Sequence, residues 1–340
     1  MDKKVTMLQR KMLLGLFIFC LISLILIIYW YIPSSITIII KKTSPQTTSR
    51  TSVNLSEINT AKLRVNLSEI NTAKLRPRIL KHLRGKSTLH AFYKKGKNDN
   101  YLNSSNTNDM LLCNNCSTDP SFGILTRKYR NCAVVGNGGI LSNSNCGNEI
   151  DSMDFVLRFN MAALKGYTDD VGFKTTIMSI NMEGFKMLLK NKKLQKSLYS
   201  LPENTILWHL KHLSSSRKYL RAMYDILHRP KYQHNGLRLA FTAPDSDIIT
   251  PTRRLWKMAY PTSGLIGFTF AATICNKISM YGFYPFYQDE NNNTLANHYY
   301  ETTKFNFASD TKHTYNHEYA LFKDLNRTGA IRLVTSRCSW

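Results

Sequence analysis

The sequence predicts an α/β domain over residues 110–340, built on a doubly wound sheet, and three observations predict it. The first is Cys132–Asn160. It opens on the buried-strand pattern Ala133, Val134 and Val135, breaks into the turn Gly136–Gly139, and continues as a polar, helix-compatible run. It closes on a second apolar strand, Phe155–Phe159, followed by Asn160. A strand feeding a glycine turn and then a helix is how such a sheet presents a nucleotide. Glycine lets backbone N–H groups come close to a ligand. The second observation is that apolar strands and amphipathic helices alternate downstream. The third is Pro261–Phe286, where a polar turn precedes an apolar helix and another buried strand.

Residues 1–109 have a different character. Met12–Ile32 is an uncharged apolar run, preceded by Lys3, Lys4, Arg10 and Lys11 and ending in Tyr29, Trp30 and Tyr31. That length and those flanks predict an uncleaved transmembrane signal-anchor over 12–32, with a cytosolic tail at 1–11. A cleaved signal peptide would be shorter and would end in small residues. The rest of the chain is then expected on the luminal side. Asn54, Asn66, Asn103, Asn115, Asn292 and Asn326 each begin an N-glycosylation triplet, all beyond the anchor. Residues 33–109 are rich in Ser, Thr, Asn and Lys with little apolar periodicity, which predicts a luminal stem. Inside it VNLSEINTAKLR occurs twice in tandem, at Val53–Arg64 and Val65–Arg76. Two copies are too few for a solenoid, so they read as a duplication within a tolerant stem. Arg76–Lys97 is basic, and also reads as stem.

Lys and Arg outnumber Asp and Glu by 46 to 22, a net charge of +24. Such an excess favours nucleic acid, an anionic membrane surface or acidic substrates. A luminal domain removes nucleic acid from that set. Cys113, Cys116, Cys132, Cys146, Cys275 and Cys338 lie beyond the anchor, where disulfides persist, but spacing alone chooses no pairing. Cys113-x-x-Cys116 lacks a second pair to complete a zinc set, so a structural or unpaired role is expected.

Within the domain, Thr175–Ile180, Thr205–Leu210, Leu237–Phe241 and Ile278–Tyr281 read as strands. Phe185–Leu198 and Ser216–His228 read as amphipathic helices. Leu265–Cys275 is an apolar helix that Thr262 or Ser263 can cap, and its start is a favourable place for an anion. Leu321, Leu325, Ile331 and Leu333 outline a final helix and strand. Between them lie His298, in HYYE, and His313, in HTYNHEY with Glu318. Histidine suits proton transfer near neutral pH, although nine histidines leave position alone undecided.

Taken together, these stretches resemble the animal sialyltransferases, and within them the α-2,8-sialyltransferases. The long motif of that family resembles Cys132 to about Asn181, and the short motif Pro261–Phe286. The third motif resembles His298–Glu301, and the very short motif His313–Glu318. Order and spacing match together. The resemblance implies a variant GT-A, Rossmann-like glycosyltransferase domain with a mostly parallel sheet flanked by helices. It implies transfer of sialic acid from CMP-sialic acid to a sialylated glycoprotein or glycolipid acceptor, in α-2,8 linkage, by a metal-independent inverting displacement without a cofactor. It further implies a Golgi membrane location as a single-pass type II protein, and leaves room for a homodimer.

Carried over motif by motif, Asn137 and Asn160 contact the CMP moiety, with Gly138 beside them. Thr262, Ser263 and Gly264 lie near the sialic acid carboxylate and cytidine. His298 contacts the phosphate, and His313 is the general base. The implied disulfides are Cys132–Cys275 and Cys146–Cys338. The net positive charge would then form a basic cleft for anionic substrates. The chain departs from the family pattern at Phe159, where the α-2,8 branch has Cys, and at Met182-Glu183, where it has Pro-Ser. Thr262-Ser263 reverses the commoner order, and Tyr315-Asn316 stands in place of Met-Pro. These differences bear on acceptor and linkage rather than on donor chemistry.

Four other readings compete. A dinucleotide oxidoreductase would want glycine at Leu141. A metal-dependent glycosyltransferase would use Asp245-Ser246-Asp247. An inactive, anchored glycan-binding protein could keep the fold without the reaction, and a galactoside or GalNAc acceptor would give a different linkage.

Overall fold

Strands buried on both faces organise the domain. The structure, a computed structural model, describes residues 69–83, 90–92, 127–212, 217–230, 236–242, 248–303 and 313–339. Among the described residues eight strands form one sheet: β1 (His90–Phe92), β2 (Tyr129–Val135), β3 (Phe155–Phe159), β4 (Ile177–Ile180), β5 (Ile206–His212), β6 (Arg238–Thr242), β7 (Cys275–Tyr281) and β8 (Arg332–Val334). Their order is β1-β6-β5-β4-β3-β2-β7-β8. Strands β2 to β8 are parallel, and β1 joins the β6 edge antiparallel. The winding therefore reverses at β2, which has β3 on one side and β7 on the other. Ligands in open α/β sheets bind beyond the carboxyl ends of the strands at such a reversal.

Alternation along each strand divides the core. Cys132 and Val134 pack on one face with Leu157, Trp208 and Met280. Ala133 and Val135 pack on the other with Val156, Met178 and Tyr281. Helices cover both faces: α1 (Arg76–His82), α2 (Gly147–Asp151), α3 (Thr168–Val171), α4 (Met182–Lys190), α5 (Lys192–Ser197), α6 (Arg217–Leu227), α7 (Ile249–Trp256), α8 (Ser263–Ile274) and α9 (Tyr315–Arg327). Every residue of α8 from Leu265 to Ile274 is buried, which its uniformly apolar sequence allows.

Two disulfides tie distant parts of the chain together. Cys132–Cys275 links the neighbouring strands β2 and β7, and Cys146–Cys338 links the start of α2 to the tail after β8. Beneath the second, buried Glu149 accepts hydrogen bonds from Tyr281 Oη (2.5 Å) and from the Arg332 guanidinium. Buried Arg158 on β3 pins the 171–175 segment through Val171 O (2.7 Å), Lys174 O (3.0 Å) and Thr175 Oγ1 (3.1 Å). Burial lowers its guanidinium to about 10, against the opposing fields of Tyr299 and Asp151.

Several expectations need correction. The linker reading of 33–109 fails for residues 69–83. Ile70, Thr72, Ile79 and Leu83 are buried, and Thr72–Leu75 forms a 3₁₀ turn leading into α1. The single helix expected over Phe185–Leu198 is two, because Asn191 ends α4 and its side chain caps α5 at Lys193 N (2.8 Å) and Leu194 N (3.2 Å). Helix α7 and strand β1 had no counterpart in the sequence reading. Of the described glycosylation triplets, Asn292 is exposed in a turn. Asn326 lies inside α9, and its side chain accepts the Leu333 N–H at 2.9 Å, so its amide already serves the fold. The tail, anchor, most of the stem, Cys113, Cys116, Asp245–Asp247 and the triplets at Asn54, Asn66, Asn103 and Asn115 lie outside the described residues. Among the described residues no helix is long and apolar enough to cross a membrane.

Candidate active site

A cavity of about 570 Å³ lies beyond the carboxyl ends of β2, β3 and β7, where the sheet reverses. Gly136, Asn137 and Gly138 come to it from the end of β2, Asn160 from β3 and Asn181 from β4. Thr262, Ser263 and Gly264 come from the start of α8. Gly282 to Pro285 follow β7, Asn297 and His298 form a further segment, and His313 and α9 close the far wall. All eight residues expected to bind the donor or act in catalysis therefore line one cavity.

The glycine turn packs closely on the segment that follows β7. Gly136 N–H donates to Tyr281 O (2.7 Å) and Gly138 N–H to Gly282 O (3.0 Å). A Cβ on Gly138 would sit 2.6 Å from Gly282 O, and one on Gly139 would sit 2.1 Å from Ala296 O. The missing side chains make room for neighbouring backbone, and Gly136 and Gly138 also line the cavity. The turn also holds the His298 segment. Gly138 and His298 form an antiparallel bridge, and Tyr299 N–H donates to Asn137 O at 3.0 Å.

The amides are held from behind. Asn137 Nδ2 donates to Phe159 O (3.3 Å), and Asn137 also shares a side-chain hydrogen bond with Tyr300. Burial, then Glu301, pushes the Tyr300 phenol up to about 12 against that hydrogen bond, so it stays protonated. Asn160 adopts the left-handed conformation at φ 57°, and its Oδ1 accepts from Asn181 N–H at 3.1 Å. Its Nδ2, which can only donate, is the other end of the amide. Asn181 Oδ1 in turn caps α4 at Gly184 N (2.8 Å).

The start of α8 is organised by Glu318. This carboxylate, 4% exposed, accepts from Thr262 N–H at 2.7 Å and from Thr262 Oγ1 at 2.6 Å. Thr262 Oγ1 accepts from Leu265 N–H (3.2 Å), and Thr262 O from Ile266 N–H (3.1 Å). Ser263 and Gly264 therefore carry the first-turn N–H groups that have no acceptor inside the helix, and both line the cavity. Burial raises the Glu318 carboxyl, while the two Thr262 bonds and the nearby His313 oppose that rise.

Each histidine has Nδ1 on an acceptor. His313 Nδ1 is 2.8 Å from Tyr260 O, and a carbonyl can only accept, so Nδ1 carries the proton and Nε2 is the basic nitrogen of the neutral ring. His298 Nδ1 is 2.8 Å from Glu301 Oε2, and its ring stacks on Tyr300 with centroids 5.3 Å apart.

Sequence reading assigned no role to Glu318 or to the aromatic wall. Tyr315, Glu318, Tyr319 and Phe322 face the cavity at i, i+3, i+4 and i+7 of α9, the spacing of one helical face. Tyr284 joins Tyr319 there at 5.6 Å between ring centroids. The expected basic cleft is absent from the described lining, which includes neither lysine nor arginine. Negative charge there meets a helix N-terminus and two histidines. Among the described residues no three His, Cys, Asp or Glu side chains gather as a metal site.

The model of glycosyltransferase family 29 (sialyltransferase) matches residues 80–330, well over half of the chain, and the chain belongs to that family. A curated relative, the alpha-N-acetylneuraminide alpha-2,8-sialyltransferase of Xenopus laevis, is 27% identical over 231 residues, or 62% of this chain. The chain spans 59% of that relative's length. A solved mammalian sialyltransferase is 26% identical over 62% of this chain and 70% of its own, with a TM-score of 0.42. A mammalian sialyltransferase in complex with Gal-beta-1-3GalNAc-ortho-nitrophenol is 24% identical over 82% of this chain and 97% of its own, with a TM-score of 0.47.

Proposed function

We propose that the domain transfers sialic acid from CMP-sialic acid to a hydroxyl of a sialylated glycan acceptor, forming an α-2,8 linkage without a metal ion. One observation carries this reading. The cavity at the sheet reversal joins a helix N-terminus to two histidines whose Nδ1 atoms are each held by an acceptor. Family membership supports the donor, and the name of the Xenopus relative supports the linkage.

In this mechanism His313 Nε2 takes the proton from the acceptor hydroxyl as its oxygen attacks the anomeric carbon. The bond from that carbon to the phosphate oxygen breaks on the opposite face, and its electron pair leaves with CMP. His298, with Nδ1 on Glu301, donates through Nε2–H to the leaving phosphate when protonated. General acid–base help of this kind contributes roughly 10²–10⁴-fold. The Ser263 and Gly264 N–H groups meet the sialic acid carboxylate, where the helix dipole favours an anion. Asn137 and Asn160 hold the CMP moiety. CMP is a good leaving group, so no covalent enzyme intermediate is needed. The apolar run at 12–32 supports anchoring as a type II Golgi membrane protein, with this domain in the lumen.

Incubating the luminal domain with CMP-sialic acid and a panel of sialylated and asialo acceptors tests the reading. Expected is a product resistant to α-2,3- and α-2,6-specific sialidase and extended on sialylated acceptors. Transfer to galactose or GalNAc hydroxyls alone would reassign the linkage. Donor binding without transfer to any acceptor would make the protein a glycan-binding relative instead.

A further inference from the structure

One part of the cavity has no task in the mechanism above: the wall where α9 meets the segment after β7. Tyr284, Tyr315 and Tyr319 line it, and all three are half-buried. Tyr315 stands beside the base, its ring centroid 5.8 Å from that of His313. Tyr319 lies one turn further along α9, about 6 Å of helical rise. Tyr284 meets Tyr319 at 5.6 Å and 85°, so the two rings form a corner. Phe286, outside the lining, stands at steep angles to both, 4.9 Å from Tyr284 and 5.1 Å from Tyr319. The corner is thus held in place before a ligand arrives. Burial, ahead of Tyr284 and Glu290, pushes the Tyr319 phenol up to about 12, so it keeps its proton and can donate. Asp289 and Glu290 follow in a hairpin closed by Leu295 N–H to Tyr287 O (2.8 Å), and their field reaches Tyr284.

We propose that this corner binds the acceptor sugar next to the one attacked, and that it takes a neutral hexose on its apolar C–H face rather than a second sialic acid. This rests on the proposed transfer to a sialylated acceptor. With the acceptor hydroxyl at His313 Nε2, the terminal sialic acid lies against Tyr315. The sugar that carries it falls one helical turn on, at Tyr319 and Tyr284. Hexose C–H groups carry slight positive charge and meet the negative face of an aromatic ring. The phenol of the perpendicular ring can hydrogen-bond a hexose hydroxyl at the same time. The described lining has no lysine or arginine to neutralise a second carboxylate, and Asp289 and Glu290 repel one. Lys323 Nζ lies 5.8 Å from the Tyr319 centroid but outside the lining. The acceptor class is therefore a sialyl-hexose. The product ends in sialyl-sialic acid and is a poor acceptor in turn, so transfer stops after one addition.

Kinetics on the full chain test this, with CMP-sialic acid as donor and α-2,3-sialyllactose or its α-2,8-disialyl counterpart as acceptor. The wild type is expected to show a KM for the disialyl acceptor roughly tenfold or more above that for sialyllactose. Tyr319→Leu keeps apolar bulk but loses the ring, and raises the sialyllactose KM roughly tenfold with little change in kcat or donor KM. Tyr319→Phe keeps the ring and stays within about threefold of wild type. An unchanged acceptor KM in Tyr319→Leu, or a donor KM that rises with it, overturns the proposal. So does a disialyl acceptor used as well as sialyllactose. Saturation-transfer NMR reads the contact without turnover: the hexose protons of sialyllactose receive magnetisation from the wild type and not from Tyr319→Leu. Should Tyr319→Leu not fold, the acceptor preference and the hexose contact of the wild type decide. Hexose contact without product refutes the transferase reading and not this assignment. Product without hexose contact refutes this assignment and not the transferase reading.

Discussion

Two stretches of this chain look alike as phosphate sites, the turn Gly136–Gly139 after β2 and the segment Pro261–Gly264 before α8. Their backbone donors have opposite fates. In the glycine turn, the Gly136 and Gly138 N–H groups are used by Tyr281 O and Gly282 O. Before α8, the Thr262 side chain takes the Leu265 N–H, Glu318 takes the Thr262 N–H, and Ser263 and Gly264 are left at the cavity. Every buried backbone donor needs an acceptor, so where each N–H goes decides which stretch can serve a ligand. In the turn the Gly136 and Gly138 donors are taken by backbone, while before α8 the Ser263 and Gly264 donors face the cavity.

That distinction predicts where substitutions will register. His313→Ala, next to the helix start through Tyr260 O, is expected to lower kcat by roughly 10²–10⁴-fold with the melting temperature unchanged. Steady-state kinetics beside thermal unfolding checks this, and a parallel loss of stability would move His313 into the scaffold. Gly139→Ala is the reverse case. Its Cβ would meet Ala296 backbone, so about 3 kcal/mol or more of stability should go, and substrate turnover should fail only as the fold does. Denaturant titration measures it. Near-wild-type stability with lost donor affinity would show that the glycines serve the ligand after all.

Thr262→Val removes the cap of α8 and one partner of the buried Glu318 carboxylate. A loss of about 1–3 kcal/mol is expected, with a raised KM for CMP-sialic acid. Unchanged donor KM would uncouple the helix start from the donor. The smallest effect concerns pH. Burial holds the folded Glu318 carboxyl above its ordinary value of 4.5. The fold thus binds this proton more tightly than the unfolded chain does. The associated stability is fully present below the ordinary value and is lost as pH rises through the raised one. Glu318→Gln should remove that part of the pH dependence, and stability curves identical in slope for both proteins would refute it.

Much of the fold was legible because buried parallel strands leave continuous apolar runs. Ala133–Val135, Phe155–Phe159 and Ile278–Tyr281 are such runs, and α8 is apolar on every side. Residues 69–83 were not legible. Their anchors, Thr72, Lys74 and Arg76, act by side-chain bonds to backbone carbonyls, and such residues look like linker in composition. Helix α7 was hidden by Thr250, Pro251, Arg253 and Arg254 ahead of its buried Leu255 and Trp256. At the site, the histidines, asparagines and disulfide partners were named by resemblance, since no spacing rule selects them. Glu318 was visible in the same motif, but its role depends on Thr262, fifty-six residues away. The glycines were visible, but a sequence does not show which carbonyls will approach them, here Gly282 O and Ala296 O.

The buried end of the second repeat copy also bears on inheritance. Tandem copies invite gain or loss of a unit when the coding sequence is copied. Whatever number of units results, the last one still reads directly into Pro77. One, two or three copies all present the same residues to the domain. The bonds that Thr72, Lys74 and Arg76 make to Ala330 O, Thr328 O and Cys275 O are therefore indifferent to how many copies precede them.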